Sequence, residues 1–278
     1  MKLFCTYVRL AIILVVPIFV VLKSLYATKP DLLPTMMTGE AIAHEINQRD
    51  DGKQVTRKIL FKLISKSGKT RERVTVGFRK DYEDVTKMVI FYKSPNNVKG
   101  TAFLNYDYKE IGREDDRWLY LPATRKIRRI ASTERGDRFL GTDLSYEDIN
   151  HETKVNLNDF TYRNIGEDIL DGTLCIQLEA LPKNKHVSEE LGYGKIVSWV
   201  DPENWMLHQA QYWDDKQQLL KTIWFKGIKK IDGIWTVQLI EVKNHQSGHQ
   251  TKLVFSEIDY KRTVDDVLFN KVQLSKGY

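Results

Sequence analysis

Apolar and polar residues alternate with period two over much of the chain. Ile59, Phe61 and Leu63 interleave with Leu60, Lys62 and Ile64, and Val74, Val76 and Phe78 with Arg73, Thr75, Gly77 and Arg79. Leu174, Ile176, Leu178 and Ala180 interleave with Cys175, Gln177 and Glu179. That period belongs to strands with one buried face. Further strand-like runs lie near 86–93, 101–107, 117–121, 195–200, 205–213, 219–226, 234–243 and 251–259. Ser67-Gly68, Asp171-Gly172, Asp214-Asp215, Asp232-Gly233 and Ser247-Gly248 are turn signals between them. Consecutive strands on short turns predict an antiparallel meander, a sandwich or a barrel. One helix is predicted at the start, with Thr38 as N-cap, Ala41, Ile42, Glu45 and Ile46 within it, and Gly52 ending it.

Some strands are apolar on both phases. Trp205, Leu207 and Trp213 stand on one phase, with Met206, Ala210 and Tyr212 on the other. Such a strand is covered on both faces. The cover is either a two-layer core or an apolar ligand held by a curved sheet.

The segment before the helix has another purpose. Lys2 and Arg9 precede 13 uncharged residues, Leu10 to Leu22, and Lys23-Ser-Leu-Tyr-Ala27 follows. A basic start, a short apolar core and a small residue predict a signal peptide over 1–27, followed by a linker over 28–37. An uncleaved anchor is the alternative, although a span needs roughly 20 apolar residues. Cleavage would remove three of the charges behind the net +6, leaving +3. That modest excess does not call for a nucleic-acid partner. Only Cys175 would remain, so no internal disulfide forms. The remaining 38–278 reads as one domain.

Residues 115–149 are the most distinctive: DDRWLYLPATRKIRRIASTERGDRFLGTDLSYEDI. An aromatic strand stops at Pro122 and a basic stretch follows, with Arg125, Arg128 and Arg129. Ser145-Tyr146-Glu147-Asp148 fits a helix cap and first turn. The pattern resembles the outer membrane lipoprotein-sorting protein family, relatives of the LolA periplasmic lipoprotein carrier. Trp118, Tyr120, Pro122, Arg128, Arg129, Ile130, Asp137, Phe139, Gly141, Thr142, Asp143, Tyr146, Glu147 and Asp148 carry it. Trp199, Asp201, Lys221, Asp232 to Trp235, Thr251, Leu268 and Phe269 extend it.

The resemblance implies a mainly β fold, an unclosed antiparallel barrel with short helices over its open face. It also implies a periplasmic, non-enzymatic carrier of lipid or lipoprotein acyl chains, accompanying membrane exporters of the resistance-nodulation-division type. On that reading Phe78, Phe139, Tyr146 and Trp199 are ligand-binding residues of the cavity or lid, and Trp118 and Tyr120 are cavity wall or core. Arg125, Arg128 and Arg129 meet lipid phosphates, or pair with Glu147 and Asp148 to close a lid, or form a solvated strand edge. Pro122, Gly141, Asp143, Glu147 and Asp148 are structural. Phe78→Asp is then expected to abolish lipid binding and leave the sheet folded.

Other chemistries lack support. There is no G-x-S-x-G and no H-E-x-x-H. His245 and His249 flank a turn without further metal ligands, and Glu114-Asp115-Asp116 lacks a calcium-loop pattern. Cys175 reads as a small residue on the polar phase. No cofactor is expected. The alternatives to a carrier are a module that docks on a membrane transporter without cargo, and a hydrolase using scattered acids.

Overall fold

A computed structural model describes residues 36–110 and 112–278. The expected signal peptide, and the linker up to residue 35, lie outside the described residues. The chain starts with α1 (Gly39–Gln48), where the Thr38 hydroxyl accepts the Ala41 N–H at 3.2 Å. It ends at Gln48, before the predicted Gly52, because Arg49 turns the backbone out of the helix and anchors on Trp205 and Thr153.

Six strands follow: β1 (Gln54–Ile64), β2 (Thr70–Asp81), β3 (Val85–Ser94), β4 (Ala102–Tyr108), β5 (Asp116–Leu121) and β6 (Lys126–Ile130). Residues 131–159 contain α2 (Tyr146–His151). Then come β7 (Phe160–Leu170), β8 (Thr173–Pro182), α3 (Lys185–Leu191), β9 (Lys195–Val200), β10 (Leu207–Trp213) and β11 (Leu219–Lys226). A side hairpin, β12 (Lys229–Ile231) and β13 (Ile234–Thr236), precedes β14 (Leu239–Asn244) and β15 (Gln250–Asp259). A 3-10 turn at Asp266–Phe269 and α4 (Lys271–Lys276) end the chain.

Thirteen strands form one antiparallel sheet in the order β6-β5-β4-β3-β2-β1-β15-β14-β11-β10-β9-β8-β7. β1 pairs with β15, placing Ile59 opposite Phe255 and Phe61 opposite Leu253. The strands nearest the middle of the chain, β6 and β7, are therefore the two edges, and the sheet is not closed. Residues 131–159 run from one edge to the other. The predicted turns hold. At Asp171-Gly172 both residues have positive φ, 51° and 85°, which suits a two-residue hairpin.

Periodicity missed β6 and β7. β6 is four-fifths exposed and reads as a basic run; β7 is polar because most of it faces water. α1 covers part of that edge: Glu40 accepts the Tyr162 N–H at 2.9 Å, and Asn164 donates to the Met37 carbonyl. Such cover suppresses edge-to-edge pairing. The run 234–243 is also broken, at Val237-Gln238, where β13 ends and β14 rejoins the sheet.

One face of the sheet carries a continuous core. It joins Ile59 and Phe61, Ile90 and Tyr92, Phe103, Leu119, Ile176 and Leu178, Ile223 and Phe225, and Leu253 and Phe255 to α1 and α2. The opposite face of β2–β5 buries Phe78, Val89, Phe91, Leu104 and Trp118 under Val264, Leu268, Phe269 and Leu274. β3 is apolar on both phases because both of its faces are covered. Cys175 is fully buried beside Val197 and Trp199 on the face away from the core, so its phase is not polar. Burial pushes its thiol up to about 11, which suits a small packing residue.

Phe269→Ala should remove about 3–5 kcal/mol of stability, because the C-terminal cover is tied down by buried apolar contact. Urea unfolding of the two chains side by side measures it, and a loss under about 1 kcal/mol would mean that the cover is dispensable.

Candidate binding cavity and the segment that closes it

The Ser145 hydroxyl accepts the Asp148 N–H at 3.0 Å, and the Asp148 carboxylate accepts the Ser145 N–H at 2.6 Å, a reciprocal cap that starts α2. Successive residues on a helix diverge by about 100°. Glu147 and Asp148 therefore reach in different directions. Glu147 is 5% exposed and accepts from Arg117 of β5 at 2.8 Å. Asp148 accepts from Lys221 of β11 and from the Tyr193 hydroxyl. One arm of the sheet thus holds Glu147 and the other holds Asp148.

Further ties surround this pair. Asp143 accepts the Thr251 hydroxyl of β15 at 2.7 Å, and Arg73 of β2 donates to the Leu140 carbonyl at 2.6 Å. Arg57 of β1 meets Glu152 at 2.7 Å. Arg135 joins Asp159 to Glu190 of α3. Leu140 and Gly141 both take positive φ, 46° and 78°, turning Phe139 into the core against Phe61, Phe103 and Tyr146.

The charges shape one another. Burial alone would raise Glu147, but the hydrogen bond and charge of His151, with Arg117 and Arg135, outweigh it and hold the carboxyl at about 2. Burial would lower His151; Glu147, Asp107 and Asp115 overcome that and raise it to about 9. Asp115 is pushed up to about 7 by burial and by Asp107, against the pull of Arg117. Burial lowers Lys221, opposed by Asp148.

Between α2 and the wall of β7–β11, β14 and β15 lies an apolar cavity. Phe160, Tyr162, Ala180, Leu191, Ile196, Leu207, Ala210, Tyr212, Ile223, Phe225, Ile240 and Leu253 line it. Its free volume is ≈ 70 Å³. That is room for about five waters, so a long acyl chain enters only if side chains or α2 give way. On the other side of residues 151–156 is a polar groove of ≈ 900 Å³, walled by the end of α1, by Arg57 and Arg79, and by residues 150–158.

A family model described only as that of an uncharacterized protein matches residues 84–276, more than half of the chain. The structure of a DUF1329 family protein from Desulfovibrio piger is 30% identical and superposes with a TM-score of 0.77, covering 85% of this chain and 97% of that one. The chain belongs to the DUF1329 family. A structure from Vibrio parahaemolyticus described as an outer membrane lipoprotein-sorting protein domain is 28% identical, with a TM-score of 0.77 over 85% and 98% of the two chains. A LolA superfamily protein from Nitrosomonas europaea shares the fold, at 19% identity and a TM-score of 0.64 over 85% and 99%. No curated protein matches. The expected family resemblance and the unclosed, mainly β architecture both hold.

Within this DUF1329 fold, the residues singled out in sequence separate into groups. Phe139 and Tyr146 belong to the closing segment and insert into the core, and neither lines the cavity. Phe78, Trp118 and Tyr120 do not line the cavity; they lie on the opposite face, with Phe78 4.6 Å from the Tyr278 ring. Phe78→Asp would therefore disrupt the C-terminal cover. Trp199 also faces away from the core, donating to Asp168 at 2.9 Å. Pro122 ends β5 at the hairpin, where Arg125 is exposed with φ 53°. Arg128 pairs with Glu134 at 2.6 Å and Arg129 with Asp116 at 2.7 Å, on the exposed edge strand. Neither reaches Glu147 or Asp148, because those acids are already held inside by Arg117 and Lys221.

Arg117, Tyr193 and His151 escaped the sequence reading, and Lys221 entered it only through the family resemblance, with no partner named. Two of them left a signal. Lys221 shares its phase with Ile223 and Phe225, and Arg117 shares its phase with Leu119. A charge on an apolar phase needs a buried counter-ion.

Asp148→Asn should cost about 3–5 kcal/mol, since it strands the Lys221 ammonium in the core. Chemical denaturation tests this, and near-neutrality would show that the tie is idle. His151 has its pKa raised from 6.5 to about 9, so its stabilisation is complete below pH 6.5 and fades as pH rises through 9. His151→Gln should flatten the fall in Tm between those limits; an unchanged slope would remove His151 as its source.

Proposed function

We propose that this protein is a non-enzymatic periplasmic carrier that shields the acyl chains of a lipid or lipoprotein. The apolar cavity closed by a tethered segment is the observation that carries this reading. Its walls are aliphatic and aromatic, and its charges are paired at the closing segment. Each methylene moved into such a cavity gains about 0.8 kcal/mol. Affinity then rises with chain length and stays reversible, as a carrier requires. The lipoprotein-sorting description of the Vibrio relative supports the same class of cargo. Exchange of cargo with a resistance-nodulation-division exporter belongs to this proposal through the resemblance in the central segment.

Ala210 lines the cavity and is 2% exposed. Ala210→Phe should fill the space and weaken binding of a fluorescent fatty acid at least about tenfold, while overpacking costs only about 1–3 kcal/mol of stability. Titration of wild type and variant, with circular dichroism to confirm folding, decides it. Equal binding would move the ligand elsewhere. A wild type that binds no fatty acid and carries none in native mass spectrometry would favour a docking module without cargo.

A further inference from the structure

We infer that the apolar cavity and the polar groove are the tail and head ends of one site, and that its cargo is a lipid with a zwitterionic headgroup bearing an ammonium beside a phosphate. The inference rests on the acyl-carrier reading above. The two spaces share His151, Glu152, Lys154, Val155 and Asn156 as a common wall. A molecule with its tail in the cavity has its head in the groove once this strip shifts.

The groove has no dominant charge. Six acids line it against six lysines and arginines and the protonated His151, so the two signs nearly balance. They stand as opposed neighbours: Arg79 and Lys154 meet Asp51 at 3.1 and 3.2 Å, and Arg57 meets Glu152 at 2.7 Å. A zwitterion inserted into such a pair gives each member a new partner. A head of one sign satisfies one member and leaves the other without its partner. Electrostatics therefore select against net-anionic and net-cationic heads.

Two wall atoms point the same way. The Arg49 Nε donor and the Asn105 Oδ1 acceptor are buried without hydrogen-bond partners. Buried polar atoms in native folds are almost always paired. Both side chains are tied to the closing segment, Arg49 to Thr153 and Asn105 to Asn150. In those bonds both side chains donate; movement of the segment breaks them and opens the unpaired Arg49 Nε donor to a phosphate and the unpaired Asn105 Oδ1 acceptor to an ammonium. The strip itself is held by Asn47, which both donates to the Val155 carbonyl at 2.7 Å and accepts its N–H at 2.9 Å.

Three ligands with hydrocarbon chains of the same length test the inference: lysophosphatidylethanolamine, lysophosphatidylglycerol and the fatty alcohol, competed against one another on the full chain in native mass spectrometry. The zwitterionic lipid should bind about tenfold tighter than either rival, the scale of a charge-assisted hydrogen bond. The wild-type ranking needs no variant. In the double variant Asp51→Asn with Lys154→Gln, which leaves net charge unchanged, the ratio of zwitterionic lipid to fatty alcohol should fall towards one. Equal or tighter binding of the glycerol lipid overturns the headgroup assignment and leaves the carrier intact, as does an unchanged ratio in the variant. Failure of all three to bind overturns the carrier and this inference with it.

Discussion

The structure depends on two adjacent buried acids that cannot leave their partners. A curled sheet of thirteen strands has two edges, and here the chain between those edges must pass through the core. That segment brings backbone and charge into an apolar interior. Glu147 answers Arg117 of one arm and Asp148 answers Lys221 of the other. Dehydrating such pairs consumes most of their Coulomb attraction, so they add little net stability. They penalise every arrangement in which the segment is shifted, because each shift leaves a charge alone in the core. The ties set position more than they set stability.

That distinction matters for a carrier. A purely apolar plug could slide by small steps. A plug held by ion pairs has a closed position and must lose a defined set of contacts to leave it. If opening costs about 3–5 kcal/mol, roughly four to six methylenes of cargo offset it. On the carrier proposal, short apolar molecules would leave the cavity shut and long chains would open it. The free volume of ≈ 70 Å³ is too small for a long chain without such opening. The raised acid Asp115 and the raised base His151 belong to the same buried charge cluster around Glu147.

The far face of the sheet follows a different logic. β2 to β5 need apolar residues there because the chain's own end, with Phe269 and Leu274, lies across them. Phe78 and Trp118 belong to that contact. Lys271 sits over the Trp118 ring at 4.7 Å, shielding its outer side. The aromatic side chains of the sheet serve two layers, and only one of them faces the cavity.

The sequence by itself determined which residues alternate, where the hairpins turn and how α2 is capped, because each depends on neighbours a few positions away. It also carried the family, since Asp137 to Asp148 combine a left-handed turn, a buried ring and a helix start in one stretch. The face of each strand was not legible. Period two places Phe78 on one face with Val74 and Val76 but cannot say whether a cavity or the C-terminus covers it. Strands β6 and β7 were hidden because edges tolerate polar residues on both phases. The partners of Glu147 and Asp148 were decided by tertiary structure alone. The nearby arginines lie on an exposed strand, while Arg117 lies 30 residues and Lys221 73 residues from its acid, and only the curl of the sheet brings them in.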